Sequence, residues 1–478
     1  MNTDPTSPQA ANDTLYQQRL DRYLTAMRRG QPDTIPIRPF VAEFTAKVAG
    51  MTSQQVTQDY EMAFEAARCC AREFDWDAIV PNMVYVWGAI PQLLGNRYYA
   101  VPGVGLDPNG GFQYLEPPEP GEWMPAADYD ALIDDPTGYL LEHWLPTTNR
   151  YLSAPGEPNT IDNNLAWLRG GMAVMNYFGA FGGAITRLRH ECAMPSAICG
   201  ILKSPLDIIA DKFRGYIGLT MDLFERPDKV HAAVEAMMPH MYEIARASAD
   251  PQRLLPVTIW LHRGCVPFIN PEQFKRFHWP MLKPIIEALW ADGIQTLLYA
   301  EGVWCHHWDA FLELPEGSVI VHCDRDDVFA AKRKLGHKFA ISGGVPNTLL
   351  SFGTPDQVRA FCRRIIDEVA VDGGYILDAG AIMQNDTSIE NMQVMTNYIR
   401  EHGGYSRSSP APKPAIFQAP PDPRLLASHR RPPGSVVPWP DERARLPEIT
   451  GDEEIVRRTL GGIDAWAYAF LWHCVVSF

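Results

Sequence analysis

Short apolar runs alternate with longer segments of helical periodicity along most of the chain. Leu15, Leu20, Leu24 and Met27 recur at helical spacing and predict an amphipathic helix that ends near Gly30. From residue 35 onward, several short runs have the length and the residue types of buried strands. These runs are IPIRPFVA, DAIVPNM, LLPVTIWLH, IQTLLYAEG, GSVIVHCD, KFAISGGV and GGYILDAGA.

The alternation of strand-type and helix-type segments predicts repeated βαβ units and a parallel sheet. The clearest strand ends fall near residues 262, 301, 322, 343 and 379. Their spacing suits an α/β protein whose strands close into a (β/α)8 TIM barrel. An open, doubly wound sheet is the alternative, but no G-x-G-x-x-G follows an early strand, so a dinucleotide-binding fold has no local support.

Changes in composition divide the chain into four parts and leave one stretch of the barrel hard to interpret. The predicted parts are an N-terminal arm with a helix (1–34), the barrel (35–404), a Pro-rich linker (405–445) and an apolar helical tail (446–478). Within the barrel, residues 85–165 are rich in Pro, Gly and Trp and are predicted to form long loops over one face. The apolar run at the C-terminus is too short to cross a bilayer. It is expected to dock onto the barrel or a second subunit, with membrane-surface contact as the alternative.

Charge and cysteine content narrow the class of protein. The 478 residues carry a formal net charge of −15, which disfavours binding to phosphate backbones. The start of the chain lacks the pattern of a secretory signal, and no apolar window of about 20 residues is present. Nine irregularly spaced cysteines without a C-x-x-C pair favour free thiols, and therefore a cytoplasmic protein.

An acid and an imidazole close two successive apolar runs in LLYAEGVWCHHWDAFLELPEGSVIVHCDRDD. Functional groups of a parallel barrel lie at the carboxyl ends of its strands, so Glu301 and His322 are predicted to meet there. Zinc accepts both ligand types, and a catalytic zinc needs about three protein ligands. His262, Asp324, Cys305 and His306 are the candidates for the third ligand. A hydrogen-bonded polar pair without a metal is the alternative.

Other strand-end residues complete the predicted site. Tyr299 lies on the same strand face as Glu301, and Asp324 lies on the same face as His322. Asp378 ends another predicted strand. Gly343 and Gly344 permit either the close approach of a bound cofactor or a tight turn.

At these residues the chain resembles the uroporphyrinogen decarboxylase superfamily, which includes corrinoid-dependent methyltransferases. The resemblance covers roughly residues 255–403, and ISGGVPNTLLSFGTPDQV is its most specific element. Other matching segments are YAEGVW, LELPEGSVIVH, DDVFAAKRKLG and DGGYILDAGA. The resemblance implies a (β/α)8 barrel with a catalytic pocket at its carboxyl face.

Three branches of the superfamily differ at positions that can be compared. Decarboxylases of tetrapyrroles carry an Arg-rich loop after the first strand, whereas this chain has only Arg38 there. Thiol-methylating members carry an H-x-C-G zinc motif, whose place is taken here by residues 299–302, and a later Cys, replaced by Ala381. What remains resembles the aryl O-demethylase type, whose zinc motif is Glu, Glu and His. Glu301 and His322 match its last two positions.

The resemblance therefore implies a zinc-dependent methyltransferase. The expected reaction moves a methyl group from a small methylated substrate, for example an aryl methyl ether, to a corrinoid. Tyr299, Asp324 and Asp378 are the expected catalytic groups. The chain has no D-x-H-x-x-G motif, so the corrinoid is expected on a partner protein. A metal-free decarboxylase of an aromatic or tetrapyrrole-like acid and a non-catalytic ligand-binding barrel are the alternatives. A homodimer is plausible.

Overall fold

The computed structural model describes residues 8–81, 87–117, 119, 121–154, 156–406, 408–410, 412, 417–427 and 429–476. A small sheet in the order β2-β1-β3 is formed by β1 (Tyr99–Pro102), β2 (Gly105–Leu106) and β3 (Gln113–Tyr114). A second sheet is parallel, and its strands follow chain order. Its strands are β4 (Gly200–Lys203), β5 (Val257–Leu261), β6 (Thr296–Ala300), β7 (Val319–Cys323), β8 (Ala340–Gly343) and β9 (Tyr375–Ile376).

Helices separate the strands of the parallel sheet and surround it. In chain order they are α1 (Pro8–Met27), α2 (Phe44–Ala49), α3 (Ser53–Gln58), α4 (Tyr60–Glu73), α5 (Ala89–Leu94), α6 (Tyr129–Asp134), α7 (Pro136–Tyr139), α8 (Leu145–Thr148), α9 (Ile161–Cys192), α10 (Pro205–Ile208), α11 (Gly215–Glu225), α12 (Pro227–Ser248), α13 (Pro271–Gln273), α14 (Trp279–Ala291), α15 (Trp308–Phe311), α16 (Val328–Leu335), α17 (Asn347–Phe352), α18 (Pro355–Arg364), α19 (Ile389–His402), α20 (Trp439–Arg445) and α21 (Glu453–Val476).

Two extended segments close the parallel sheet into a barrel. The first segment, around Ile37, forms a parallel bridge with Leu377, the residue directly after β9. The second pairs with the residues before β4 through the bridge between Ile79 and Ser196, and the backbone N–H of Asp77 donates to the carbonyl of Ile37 at 2.8 Å. The ring therefore has eight positions, and the predicted (β/α)8 barrel is confirmed. The sequence had not indicated β4, which takes one of those positions.

The barrel interior is filled by large side chains, and its amino end is covered by α1. Phe40, Trp260 and Tyr299 lie in one buried cluster with Tyr23 and Met27 of α1. The carbonyl of Met27 accepts a hydrogen bond from Gln295, which directly precedes β6. The predicted N-terminal helix is thus part of the barrel floor, because its apolar stripe packs across the open end of the sheet.

The region 85–165 is more structured than its composition suggested. Its described residues hold the three-stranded sheet and helices α5 to α8, and the beginning of α9. The prediction of long loops was therefore wrong for much of this region. Tyr98, Trp123 and Trp144 are buried there, and their burial explains why so many aromatic residues occur in a stretch without clear periodicity.

The C-terminal extension packs against the same region. Arg431 binds Asp135 at 2.6 Å and Glu142 at 2.5 Å. Further on, the indole N–H of Trp472 in α21 donates to the hydroxyl of Thr137 at 3.2 Å. The apolar end of the chain thus docks onto its own domain, as expected. None of the helices in the described residues has the length and apolar character that spanning a membrane requires.

Candidate active site at the carboxyl end of the barrel

Strand register sorts the predicted site residues into two layers. Tyr299 pairs with Trp260 on one side and with His322 on the other. Continuing the same registers by two residues places His262, Glu301 and Asp324 side by side, just above that layer. Side chains two residues apart on a strand point the same way but are separated by about 6.6 Å along it. We call the upper set the mouth layer and the lower set (Trp260, Tyr299 and His322) the inner layer.

Asp211 organises the charges of the mouth. One of its oxygens lies 2.6 Å from Nζ of Lys203 and 2.9 Å from Nδ1 of His262. The other accepts a hydrogen bond from Nε of Arg263 at 3.0 Å, and Arg263 also binds Glu116 at 2.9 Å. Burial alone would raise the pKa of Asp211, but Lys203, His262 and Arg263 hold it well below its ordinary value. Asp211 is therefore a stable carboxylate that orients His262.

The second acid of this half of the mouth fixes the backbone after β5. Asp207 accepts hydrogen bonds from the N–H groups of His262 at 3.2 Å and Arg263 at 2.7 Å. It lies one helical turn before Asp211, so both acids come from the helical segment that follows β4 and face the same strand end. Together they hold His262 at both its backbone and its side chain.

The remaining polar groups of the mouth are the carboxyls of Glu301 and Asp324 and the Nε2 atom of His262. Nε2 of His262 lies 3.7 Å from Oε2 of Glu301, and both side chains are partly exposed. Asp324 accepts a hydrogen bond from the N–H of Gly302 at 2.8 Å. Burial, and secondarily the charge of Glu301, raise the pKa of Asp324 to about 6. Asp324 can therefore hold a proton near neutral pH, as a general acid must.

His322 lies in the inner layer and is fully engaged there. Its Nε2 donates to the carbonyl of Gly380 at 2.9 Å, so its Nδ1 accepts from the hydroxyl of Ser342 at 3.0 Å. Burial and the nearby Arg38 lower the pKa of His322 well below its ordinary value, so the ring is neutral. The ring also stacks on Tyr299, with centroids 4.0 Å apart. Neither nitrogen retains a lone pair for another ligand.

A buried ion pair lies beside this histidine. Nη2 of Arg38 is 3.6 Å from Oδ2 of Asp378, and both side chains are fully buried. Burial raises the pKa of Asp378 to about 7, against the opposing effect of Arg38. Within the described residues, none of the three side-chain nitrogens of Arg38 has a hydrogen-bond partner, and neither has the hydroxyl of Tyr299. Buried polar atoms usually have at least one hydrogen-bond partner, so this arrangement is uncommon.

The two glycines at the end of β8 serve close packing. Gly343 and Gly344 have φ angles of +79° and +84°. A Cβ on Gly343 would lie 2.6 Å from Cε1 of His322, and one on Gly344 would lie 2.4 Å from Cβ of Val328. The geometry agrees with the tight turn that the sequence allowed, and a cofactor-binding role for these glycines stays a prediction.

The predicted zinc ligands do not come together. Glu301 lies in the mouth layer beside His262, whereas His322 lies one layer deeper with both nitrogens bonded to protein groups. In the described part of the chain, no three side chains of His, Cys, Asp or Glu are arranged to hold a metal ion. The expectation that Glu301 and His322 bind one cation therefore needs correction, because strand register offsets them by two residues. Glu301 and His262 form a pair, one ligand short of a catalytic zinc site.

Several residues of the mouth were not predicted from the sequence. Lys203, Asp207, Asp211 and Arg263 build half of the mouth, yet none was singled out. The available signal was the segment GILKSPLDIIAD, in which a short apolar run ends in Lys203 and two acids follow at helical spacing. Because β4 was not predicted, Lys203 and the two acids were not recognised as residues that follow the end of a strand.

Comparison with known proteins agrees with this architecture. Residues 172–402 match the family model for uroporphyrinogen decarboxylase. Over these residues, just under half of its length, the chain is similar to uroporphyrinogen decarboxylase. Uroporphyrinogen decarboxylase of Azoarcus sp. (strain BH72) is 21% identical over 240 residues, which are 47% of this chain and 64% of that protein. The enzyme of the same name from Magnetococcus marinus (strain ATCC BAA-1437 / JCM 17883 / MC-1) is 21% identical over 191 residues, 38% of this chain and 51% of the relative.

A solved structure extends the likeness beyond the matched segment. A methyltransferase from Methanosarcina mazei superposes with a TM-score of 0.52 at 16% identity, covering 80% of this chain and 98% of that one. At that identity the likeness concerns the fold. The chain spans less than two thirds of the length of the decarboxylases named above. The comparisons thus establish the fold of the chain and its similarity to uroporphyrinogen decarboxylase over residues 172–402.

Proposed function

We propose that this protein is a methyltransferase that takes a methyl group from a small, neutral or cationic methylated substrate at the barrel mouth. The observation that carries the proposal is the partly exposed carboxyl of Asp324, whose pKa is raised to about 6 beside Glu301 and His262. The structural neighbour from Methanosarcina mazei, which is named as a methyltransferase, supports the same reaction class.

The charges of the mouth favour such a substrate over a polycarboxylate. Lys203 and Arg263 are both bound to Asp211, and Arg263 is bound to Glu116 as well. Their charges are therefore largely neutralised, while Glu301 and Asp324 add two further acids. A substrate with several carboxylates would meet repulsion here, whereas a methyl ether or a methylated amine would not.

Asp324 would act on the leaving atom. As the bond between the methyl carbon and the leaving oxygen or nitrogen breaks, the leaving atom gains electron density and takes the proton from the carboxyl of Asp324. The methyl group passes to the acceptor, which supplies the electron pair for the new bond. Burial, and secondarily the charge of Glu301, raise the pKa of Asp324 and so keep its proton in place. Asp211 orients His262 toward Glu301.

We propose a reduced corrinoid on a separate protein as the methyl acceptor. The chain itself lacks a D-x-H-x-x-G motif, and the nucleophile belongs to that acceptor. An aryl methyl ether is the substrate class we expect first. Zinc stays a prediction, and neither the proton transfer from Asp324 nor the methyl transfer to the acceptor depends on it.

The experiment measures consumption of reduced cobalamin in solution with a panel of aryl methyl ethers, methylated amines and methyl thioethers. We expect turnover with one class, and a rate that falls as pH rises above about 6, because Asp324 loses its proton. Asp324→Asn should lower kcat about 100-fold or more. The matched control Asp309→Asn, at an exposed acid of α15, should leave the rate unchanged.

A decarboxylase of an aromatic or pyrrolic acid is the second candidate. Its support is Arg38, a fully buried guanidinium whose nitrogens lack hydrogen-bond partners among the described residues and can receive a carboxylate. Release of CO₂ from such acids, without methyl transfer to cobalamin from any donor of the panel, would replace the first proposal by this one.

A further inference from the structure

Helix α9 presents an apolar seam that the described residues leave uncovered. Its buried side includes Ala166, Gly170, Ala173 and Tyr177, which pack on the domain. A second row lies on the solvent side and recurs at alternating spacings of four and three residues. That row, which we call the α9 seam, consists of Ile161, Leu165, Leu168, Met172, Met175, Gly179, Gly182 and Thr186. Its large members are 78%, 44%, 58%, 56% and 53% exposed in chain order.

The spacing and composition of the α9 seam are those of a helix that pairs with another helix. Alternating steps of four and three residues produce the stripe through which two α-helices interlock. Between Gly170 and Thr186 the helix carries no charged residue, although one of its faces is exposed. A helix that is apolar on both sides is normally buried on both sides.

The order of residue sizes along the α9 seam makes it complementary to itself. The first half is large (Ile161, Leu165 and Leu168), and the second half is small (Gly179, Gly182 and Thr186). A Cβ added to Gly179 or Gly182 would meet nothing within 4 Å, so these positions are open notches. In an antiparallel pairing centred between Met172 and Met175, each residue of the large first half faces a small residue of the second copy. Met172 then faces Met175 of the second copy at the centre.

Charge supports the same orientation. Antiparallel pairing brings Asp162 at the start of one helix near the end of the other, where Arg187 forms an ion pair with Glu61 of its own chain at 2.9 Å and can add Asp162 of the second copy. It also aligns the two helix dipoles favourably. Parallel pairing would instead put leucine on leucine and leave the glycine half without contact. Full burial of the seam would remove about 1,000 Å² from solvent across two copies, which reaches the size of the smaller specific interfaces.

We infer that the α9 seam is the interface of a homodimer in which the α9 helices of two copies pack antiparallel. A membrane surface fits the helix less well, since such helices carry rows of Lys and Arg and this chain has a net charge of −15. The inference does not depend on the proposed methyl transfer. A site on α9 is also separate from the mouth residues, so the two proposals fail independently.

Light scattering coupled to gel filtration tests the inference. The full chain at micromolar concentration should have twice the 53.6 kDa mass of one copy. Met172→Glu should weaken the dimer about 30-fold or more and give a monomer with an unchanged melting temperature, because two carboxylates then meet at the centre. The matched control Phe224→Glu alters a residue of α11 that is 73% exposed, and it should stay dimeric. A monomeric wild type, or a Met172→Glu variant that remains dimeric, overturns the inference.

Cross-linking tests the orientation without a destabilising charge. In a Cys305→Ser background, which removes the exposed thiol, differently tagged Leu165→Cys and Gly182→Cys chains are mixed and oxidised. Antiparallel pairing predicts disulfides between the two tags and few within either one. Disulfides mainly between Leu165→Cys chains indicate parallel packing and contradict the model. Binding of the wild-type monomer to anionic vesicles would assign the seam to a membrane surface instead.

Discussion

The inner layer and the mouth layer of the barrel use similar residue types for different purposes. Each contains a histidine next to a carboxylate, yet His322 is fully buried and His262 is partly exposed. In the inner layer, Nε2 of His322 donates to Gly380 and its Nδ1 accepts from Ser342. In the mouth, Asp211 holds one nitrogen of His262 and leaves the other directed at Glu301. One histidine is structural, and the other can still change partner.

The carboxylates differ in the same way. Asp378 and Asp324 both have a raised pKa, about 7 and about 6, and burial is the main cause in each case. Asp378 is fully buried beside Arg38, whereas Asp324 is partly exposed at the barrel mouth. A shifted pKa alone therefore does not identify a catalytic acid, and access to solvent decides between the two.

Removing the inner counterion should produce the largest effect on stability. Arg38→Met leaves Asp378 buried without its cation, and we expect a loss of about 3–5 kcal/mol in the free energy of unfolding. The loss should be greater at pH 8 than at pH 5. An acid whose folded-state pKa is raised above its unfolded value loses stability as pH rises toward the folded value, and removing Arg38 raises that value further. Urea denaturation at both pH values measures this.

The double variant Arg38→Met/Asp378→Asn provides the control. It removes both charges of the pair and should recover much of the lost stability and most of the pH dependence. If Arg38→Met alone unfolds at the wild-type urea concentration, the inner layer is not held by this pair, and the contrast with the mouth loses its energetic basis.

The sequence predicted the second half of the barrel better than the first, for physical reasons. Strands β5 to β9 lie between long helical segments, and most of them form continuous apolar runs. The strand positions around Ile37 and Ile79 were predicted, although they are joined to their neighbours only by isolated bridges. The missed strand β4 has four residues and ends in a charged side chain. Such a short segment carries little periodicity, so its strand character depends on neighbours that are distant in the chain.

The sequence placed several candidate site residues at strand ends, but it did not predict which of them lie side by side. Glu301, His262 and Asp324 all lie at the mouth, as strand-end residues of a parallel barrel should. The error concerned His322, which was treated as a strand end although β7 continues to Cys323. His322 lies in the inner layer, two residues below the level of Glu301, and this offset separates the two side chains. Register depends on how strands align across the sheet, and one strand's pattern does not contain that information.

Substitution of His322 should have an intermediate effect and tests the metal prediction directly. His322→Ala removes two buried hydrogen bonds and leaves a cavity under Tyr299, so we expect a loss of about 2 kcal/mol in stability. Metal content of the purified protein, measured by mass spectrometry after incubation with zinc, should not change. His262→Ala is the matched variant at the mouth. A stoichiometric zinc ion that disappears with His322→Ala would restore the ligand role that the structure argues against.

The smallest effect should follow from Glu301→Gln, and it is the most specific test of the mouth. The charge of Glu301 is a secondary cause of the raised pKa of Asp324, after burial. Its neutralisation should therefore lower that pKa by a fraction of a unit and move the alkaline decline of the rate to lower pH. The pH dependence of kcat/KM, recorded with the substrate identified from the panel, measures the shift. Glu313→Gln is a suitable control, because that exposed acid pairs with Lys283 on the outer helices. An unchanged profile would mean that Glu301 does not influence the proton on Asp324, and the acid–base role would then rest on burial alone.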